Sequence, residues 1–316
     1  MTDKFLTPRR VARAIDVSES SLKRWCDRGL IPSVRTAGGH RRLPISGVME
    51  FIRRGDHQLV HPELLGLPSN TGAGPRVVER ATDELIAALA AGDATTSRRL
   101  AFDLHLAQMS MAEIGDQLMA PAMEEIGRLW ECGDLEVFRE RRACQLLLRV
   151  LFELAATLPE PSPNAPVAIG GTLEGDPYQL STTLSEIVLR QNGWQAVSLG
   201  ASLPVDTLCN AIDLYRPHLF WLSVSYFADE DDFVERFEKL YQTAAAGETA
   251  LVVGGNALNE HTRRRMQYSA FCDNMQHLES FARTIQSAAP QRRQPRNNDG
   301  SRERHEHGNT QETPHE

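Results

Sequence analysis

Residues 18–42 read SESSLKRWCDRGLIPSVRTAGGHRR, and this stretch decides the fold of the N-terminal part of the chain. Ser18 is typical of a helix N-cap, and Gly29 ends the helix that is predicted after it. A shorter helical segment precedes this helix across a tight turn, so the pair forms a helix-turn-helix. The Gly38-Gly39 pair lies between β-capable flanks and predicts a hairpin wing. The sequence therefore predicts a winged helix-turn-helix over residues 1–55.

The charge of the chain is distributed unevenly. Residues 1–55 contain twelve Lys and Arg against five Asp and Glu, a net charge of +7, which leaves −15 for the rest of a chain whose total is −8. A small basic domain on an acidic body is typical of a protein that binds a polyanion through one part. We therefore interpret this domain as DNA-binding, with the second helix in the major groove and the wing arginines directed toward phosphates. The candidate DNA-binding residues are Ser20, Ser21, Lys23, Arg24, Thr36, Gly38, Gly39, His40, Arg41 and Arg42.

The wing stretch resembles a known family. Residues 36–42 have the form T-x-G-G-H-R-R that is found in a subset of MerR-type winged helices. The resemblance covers residues 5–54 and implies binding to double-stranded promoter or operator DNA. In the domain that it implies, Leu22 and Trp25 belong to the small core.

Whole-chain composition bounds the other function classes. The chain has 316 residues, of which 41% are hydrophobic and 24% charged, and this excludes a mainly disordered or fibrous protein. No apolar run approaches the length of a membrane span, and the MTDK start lacks a signal sequence, so we expect a cytoplasmic protein with no membrane partner. The five cysteines are scattered, and their spacing indicates neither a disulfide framework nor a thiolate zinc site.

Beyond the first domain, composition divides the chain into four further parts. Residues 56–75 contain prolines, glycines and no periodicity, and they predict a flexible linker that lets the head move relative to the body. Helical periodicity over residues 76–160 predicts a four-helix bundle. Short apolar runs that alternate with helical stretches over 161–287 predict an α/β flavodoxin-like domain with a doubly wound parallel sheet. Residues 288–316 have almost no apolar side chains and predict a disordered tail.

This order of domains resembles the light-responsive repressors of the CarH and LitR type, with the cobalamin-binding module of methionine synthase as the sensor. In that family, loops and glycines form a deep slot for the nucleotide tail of cobalamin, and a residue without Cβ lets the backbone approach a ligand closely. The positions that carry the resemblance, and are therefore candidate ligand-binding residues, are Trp130, Glu140, Gly175, Asp176, Tyr178, Gly200, Ser223, Ser225, Gly254 and Gly255.

The chain departs from the family at the metal ligand. The family motif D-x-H-x-x-G supplies an axial imidazole to cobalt, but Tyr178 stands at the histidine position and Ser181 at the glycine position. A phenol is a poor substitute for a neutral imidazole, so we expect no metal coordination of the family type. In the bundle, Glu131 and Arg141 occupy positions where relatives carry histidine. On sequence alone, changing Tyr178 to histidine should raise the affinity for cobalamin.

Three interpretations of the second half remain open. It has lost its ligand and serves as an oligomerisation or partner module, or it binds cobalamin without histidine, or it holds another planar tetrapyrrole. The sequence favours the first. His105 lies on an apolar helix face and is expected to be a core histidine rather than a ligand.

The leading hypothesis for the whole chain is a transcriptional regulator, favoured as a repressor, that binds DNA as a homo-oligomer. The alternatives are a corrinoid-dependent methyl carrier or enzyme and an excisionase-like architectural protein. No Ser/His/Asp, Cys/His or paired-carboxylate arrangement indicates catalysis, so we expect no enzyme and no catalytic residue.

Overall fold

The computed structural model describes residues 5–55, 57, 59–68, 71 and 78–288. Its first part is the predicted winged helix-turn-helix. The elements of this head are β1 (Phe5–Leu6), α1 (Pro8–Ala14), α2 (Glu19–Asp27), β2 (Val34–Arg35), β3 (Arg41–Pro44) and α3 (Ile45–Arg54). The strands form an antiparallel sheet in the order β1-β3-β2.

Side-chain caps begin the first two helices, and the cap of the second is Ser18, as the sequence predicts. The Thr7 side chain accepts a hydrogen bond from the backbone N–H of Arg10, and the Ser18 hydroxyl accepts one from Ser21 at 3.0 Å. Each bond satisfies a backbone donor that the first helical turn leaves unpaired, which fixes where the helix starts. Leu22 is fully buried and Trp25 packs on the head's core, as expected.

A strap of residues 59–68 lies against the head, within the range that was predicted as a flexible linker. It contains a 3-10 helix (Pro62–Leu65), and the backbone N–H groups of Val60 and His61 both donate to the Ala14 carbonyl at 2.9 Å. The structure therefore differs from a flexible chain over these residues.

The same strap also contacts the helical bundle. Leu65 and Leu67 are buried in the core that the head and the bundle share, and the Gly66 carbonyl accepts a hydrogen bond from Arg98 at 2.6 Å. The sequence does not predict this contact because the four leucines of the strap stand among prolines and a glycine without a regular spacing. Their burial nevertheless orders the segment and holds the head on the body.

The helical part forms the predicted bundle, with one irregular helix. Its elements are α4 (Val78–Ala91), α5 (Ala94–Leu106), α6 (Met111–Ile114), a π-helical segment (Gly115–Met119), α7 (Ala120–Glu131) and α8 (Val137–Ala155). Asp93 caps α5 by accepting from Thr95 and Thr96. The segment α6 to α7 is one helix interrupted by the π-turns, so four helices pack around the apolar core.

His105 is a core residue of the bundle, as the sequence predicts. Its side chain is buried on α5, which packs against α3 of the head, and its Nε2 lies 3.5 Å from the Thr157 hydroxyl. Burial lowers the pKa of His105 to about 3, and the positive charge of Arg53 acts in the same direction. The ring is therefore neutral at physiological pH and makes no ion pair.

The last part is the predicted doubly wound α/β domain. Its elements are β4 (Val167–Gly171), α9 (Leu180–Gln191), β5 (Gln195–Ser198), α10 (Val205–Tyr215), β6 (Leu219–Ser223), α11 (Glu230–Ala246), β7 (Ala250–Gly254), α12 (Glu260–Arg264), β8 (Ala270–Phe271) and α13 (Met275–Ala288). The parallel strands run in the order β5-β4-β6-β7-β8, the flavodoxin order. The two-residue strand β8 was not predicted, because so short a run carries no pattern.

Different helices pack on the two faces of this sheet. The core on one face includes residues of α10 and α11, and the core on the other includes residues of α9 and α13. The α9 side also meets the bundle: the Met111 N–H donates to Gln191 at 2.7 Å, and both carboxylate oxygens of Asp116 accept backbone N–H groups at the start of α13. The bundle and the α/β domain are therefore joined through α9 and α13.

One predicted segment, residues 288–316, lies beyond these elements except for Ala288 at the end of α13. The predicted disordered tail, from residue 289 onward, lies outside the described residues. Within the described part of the chain, no helix combines the length and the apolar character needed to cross a membrane.

Candidate DNA interface and ligand slot

The exposed face of α2 carries the residues predicted to read DNA. Ser20, Lys23 and Arg24 are exposed, and Ser21 is half-buried. Lys23 pairs with Glu19 at 2.8 Å, and Arg24 donates to the Ser21 hydroxyl at 3.2 Å. These are exposed contacts of small energy, so the side chains can exchange them for base edges or phosphates.

The wing is closed by its own backbone and by Thr36. The Thr36 N–H donates to the His40 carbonyl at 2.9 Å, and the Thr36 hydroxyl accepts from the His40 N–H at 3.2 Å. Gly39 has a φ of +76°, which favours glycine, while Gly38 and His40 are exposed at the tip. The threonine and the second glycine thus shape the hairpin that presents the neighbouring residues.

Arg41 differs from its predicted role. Instead of extending from the wing, its guanidinium donates to the Lys23 carbonyl at 3.0 Å and to the Asp27 carboxylate at 2.5 Å. It therefore ties the wing to α2. Arg42 donates to the Arg41 carbonyl within the wing at 3.1 Å. The phosphate contacts of both arginines remain a prediction.

In the second half, Asp176 holds together the loops at the carboxyl end of the sheet. Its side chain accepts the backbone N–H of Tyr178 at 3.1 Å, of Ser225 at 2.6 Å and of Tyr226 at 3.2 Å. Asp176 is 2% exposed, and burial raises the pKa of its carboxyl while these three N–H groups oppose the rise. The loop after β4 is thereby fixed to the loop after β6.

The loops after β4 and β5 are joined as well. Gly175, with a φ of +94°, donates its N–H to the Ser202 hydroxyl at 3.1 Å, and Thr172 donates its N–H to the Gly200 carbonyl at 3.2 Å. Gly200 itself has a φ of +93°. These two candidate ligand-binding glycines are therefore required by the loop conformation itself.

The backbone at Gly254 and Gly255 lies so close to neighbouring backbone atoms that a side chain would not fit there. A Cβ on Gly254 would lie 2.6 Å from the Cys272 carbonyl oxygen, and one on Gly255, at a φ of +126°, would lie 2.1 Å from the Val224 carbonyl oxygen. Both glycines are accounted for by packing within the domain.

The cobalt-ligand position of the family is occupied by an aromatic ring that packs under a cation of the bundle. The guanidinium of Arg141 on α8 lies 5.5 Å from the centre of the Tyr178 ring, a cation–π distance. The ring is half-buried. The residues present thus do not fit the family's coordination of cobalamin, because the position offers a phenol engaged with Arg141 where an imidazole is needed.

The bundle residues of the predicted ligand set lie on α7 and α8. Trp130 lies in the last turn of α7, with 43% of its surface exposed. Glu140 is buried, lies 3.4 Å from Arg141 and accepts a hydrogen bond from the Cys144 thiol at 3.3 Å. Burial, with the neighbouring Glu140 charge, raises the pKa of Cys144 to about 12, so this thiol stays protonated.

Sequence reasoning missed two residues at this end of the molecule. Arg141 was noted only as a lost histidine, and its stacking on Tyr178 depends on how two domains meet. Trp221 carries no sequence signal beyond its place in an apolar run, yet the period of two in β6 places it on the same face as the candidate residue Ser223.

Two family models match the chain. Residues 5–56 match a helix-turn-helix domain, and residues 81–154 match a B12 binding domain. The matches coincide with the head and with most of the helical bundle.

Two curated relatives and one solved structure are similar to the chain. The HTH-type transcriptional repressor CarA of Myxococcus xanthus is 25% identical over 263 residues, covering 81% of this chain and 88% of CarA. The repressor CarH of the same organism is 25% identical over 156 residues, or 49% of this chain and 51% of CarH. The monomethylamine corrinoid protein of Methanosarcina barkeri shares the fold alone, with a TM-score of 0.55 and 15% identity over 66% of this chain and all of its own. The chain therefore has a CarH-like architecture, in which a winged helix-turn-helix head precedes a module of the cobalamin-binding type.

Proposed function

We propose that the chain is a sequence-specific transcriptional regulator, and in particular a repressor, that binds promoter or operator DNA through its head. The observation that carries the proposal is the exposed face of α2, with Ser20, Lys23 and Arg24, beside a glycine-tipped wing that bears Arg42. A helix that presents polar and basic side chains next to a basic wing is suited to base readout and phosphate contact. The two Myxococcus relatives are named transcriptional repressors, which supports the proposal of a repressor.

We further propose that DNA binding does not require cobalamin, and that the second half serves as an oligomerisation or partner module. This is supported by Tyr178 at the axial-ligand position and by its packing under Arg141. The likeness to a corrinoid protein concerns the fold alone, so nothing specific favours the alternative of a methyl carrier.

The experiment compares α2 variants with wing variants on a DNA fragment from upstream of the chain's own gene. Arg42→Ala should weaken binding to all sequences alike and reduce the slope of log affinity against log salt by about 1, because one phosphate contact is lost. Lys23→Ala or Arg24→Ala should instead change the preference between sequences, by about 1–3 kcal/mol for a base contact. Fluorescence anisotropy at several salt concentrations measures both effects.

Arg54→Ala is the matched control, because it removes one positive charge from the head outside α2 and the wing. Its side chain is 77% exposed and pairs with Glu50. Arg41→Ala should weaken DNA binding and also lower the stability of the head, since Arg41 ties the wing to α2. An unchanged salt slope for Arg42→Ala would show that the wing does not contact phosphates.

We also propose that the chain binds DNA as a homo-oligomer whose contacts come from the body. A single module of this size buries roughly 600–1,000 Å² on DNA, which is too little for tight operator binding. Size-exclusion chromatography with light scattering should give at least a dimer on the operator. A monomer at concentrations that saturate the operator would refute the proposal.

A further inference from the structure

The central strand of the α/β domain carries a large aromatic side chain on the sheet face that α9 and α13 cover. Trp221 lies in the middle of β6, is 2% exposed, and belongs to the same apolar core as Leu189 of α9 and Leu278 of α13. Because side chains alternate along a strand, Ser223 lies on this face too, at the carboxyl end.

The indole of Trp221 packs against a glycine of the neighbouring strand. Gly170 of β4 is paired in register with Trp221, and a Cβ on Gly170 would lie 2.1 Å from Cδ2 and 2.4 Å from Cε2 of the indole. The ring therefore occupies the volume that any other residue at position 170 would fill. Only a glycine at this position leaves room for the tryptophan.

The one polar atom of the indole is satisfied inside the protein. Its Nε1–H donates to the Thr182 hydroxyl of α9 at 2.9 Å, and the same hydroxyl lies 3.2 Å from the hydroxyl of Ser198. Thr182 is fully buried. The space between the sheet and α9 is thus closed by groups of the chain itself, with a hydrogen bond that fixes the ring's orientation.

This closed space adjoins Ser223, one of the candidate ligand-binding residues. Ser223 is two residues, or roughly 6–7 Å along a strand, beyond Trp221. The resemblance to cobalamin-binding modules implies a deep slot for the nucleotide tail that includes Ser223. A planar base that entered between β6 and α9 past Ser223 would meet the indole, which is itself a planar bicyclic aromatic group of similar size.

We propose that Trp221 is a specificity-determining residue that fills the space a nucleotide base would need, so that the module excludes corrinoids that carry a nucleotide tail. The inference rests on the proposed cobalamin-independent function and adds a second reason for it, separate from the missing imidazole. It also replaces the expectation from sequence alone: Tyr178→His by itself does not restore the binding of cobalamin, because the tail still has no room.

The test uses the full chain and two probes, aquocobalamin and cobinamide, which lacks the nucleotide. Visible spectra and equilibrium dialysis are recorded for Tyr178→His, for Tyr178→His with Trp221→Ala, and for Tyr178→His with Trp221→Leu. Tyr178→His should bind cobalamin no more tightly than cobinamide. Either double variant should gain at least about tenfold in cobalamin affinity, while cobinamide affinity changes by less than about threefold.

Tyr178→His with Trp194→Leu is the matched control, because Trp194 is a fully buried tryptophan of the same core. It should gain nothing. The leucine variant at position 221 keeps the test usable if the alanine variant leaves too large a cavity to fold. The comparison of the two probes on Tyr178→His needs no change at Trp221 at all.

Tighter binding of cobalamin than of cobinamide by Tyr178→His would overturn the inference, as would a folded double variant with no gain. Neither result concerns DNA binding by the unmodified chain. The proposed DNA-binding function would fail on a different result, namely that the unmodified chain does not bind the upstream DNA fragment. The failure of the Trp221 inference and the failure of the proposed function are therefore distinguishable.

Discussion

Replacing Asp176 with alanine should lower the free energy of unfolding by about 2–4 kcal/mol, because three partly buried backbone N–H groups lose the buried carboxylate that accepts them. The carboxylate accepts from Tyr178, Ser225 and Tyr226 and joins the loops after β4 and β6. Part of the loss is offset, since removing a carboxyl whose pKa is raised by burial also removes its desolvation cost. Urea unfolding, followed by circular dichroism at neutral pH, measures the change.

Asp206→Ala is the control for removing an aspartate from the same domain. Asp206 is exposed and pairs only with Lys239 in the described contacts, so its loss should cost less than about 1 kcal/mol. Equal stability changes for Asp176→Ala and Asp206→Ala would show that Asp176 is not the link between the loops.

Gly255→Ala should be more damaging still, with a loss of about 3 kcal/mol or more in the free energy of unfolding or a failure to fold. The added Cβ would lie 2.1 Å from the Val224 carbonyl oxygen and 2.8 Å from the Val224 nitrogen, and neither backbone atom can move without disturbing β6. The φ of +126° adds a strain that only glycine avoids. Thermal and urea unfolding of the purified variant give the magnitude.

Gly193→Ala separates the two contributions. Gly193 also has a positive φ, +81°, but a Cβ there would have no heavy atom within 4 Å. Its replacement should therefore cost only about 1 kcal/mol, the conformational part alone. If Gly255→Ala costs no more than Gly193→Ala, the contact with Val224 is not what requires the glycine.

The parts of the fold that were predicted correctly depend on local chemistry. Ser18 and its helix, the glycine-tipped wing and the apolar strand runs each carry a signal within a few residues. The domain order then followed from how those signals alternate along the chain.

The differences arise where residues far apart in the sequence meet. Arg41 pairs with Asp27 across the wing, Arg98 holds the strap at Gly66, and Arg141 stacks on Tyr178 between domains. None of these partners lies within a helical turn or a hairpin of the other, so no periodicity reports them. For the same reason, the sequence does not show that the neighbouring loops also require Gly254 and Gly255, which it predicts as ligand-binding residues.

The most direct test of the central claim is the affinity of the unmodified chain for the upstream DNA fragment, with and without adenosylcobalamin, in darkness and after illumination. Because Tyr178 offers no imidazole and packs under Arg141, we predict the same affinity, within about a factor of two, in all four conditions. Stoichiometric, tight uptake of adenosylcobalamin in the dark, together with a loss of DNA binding on illumination, would contradict the account.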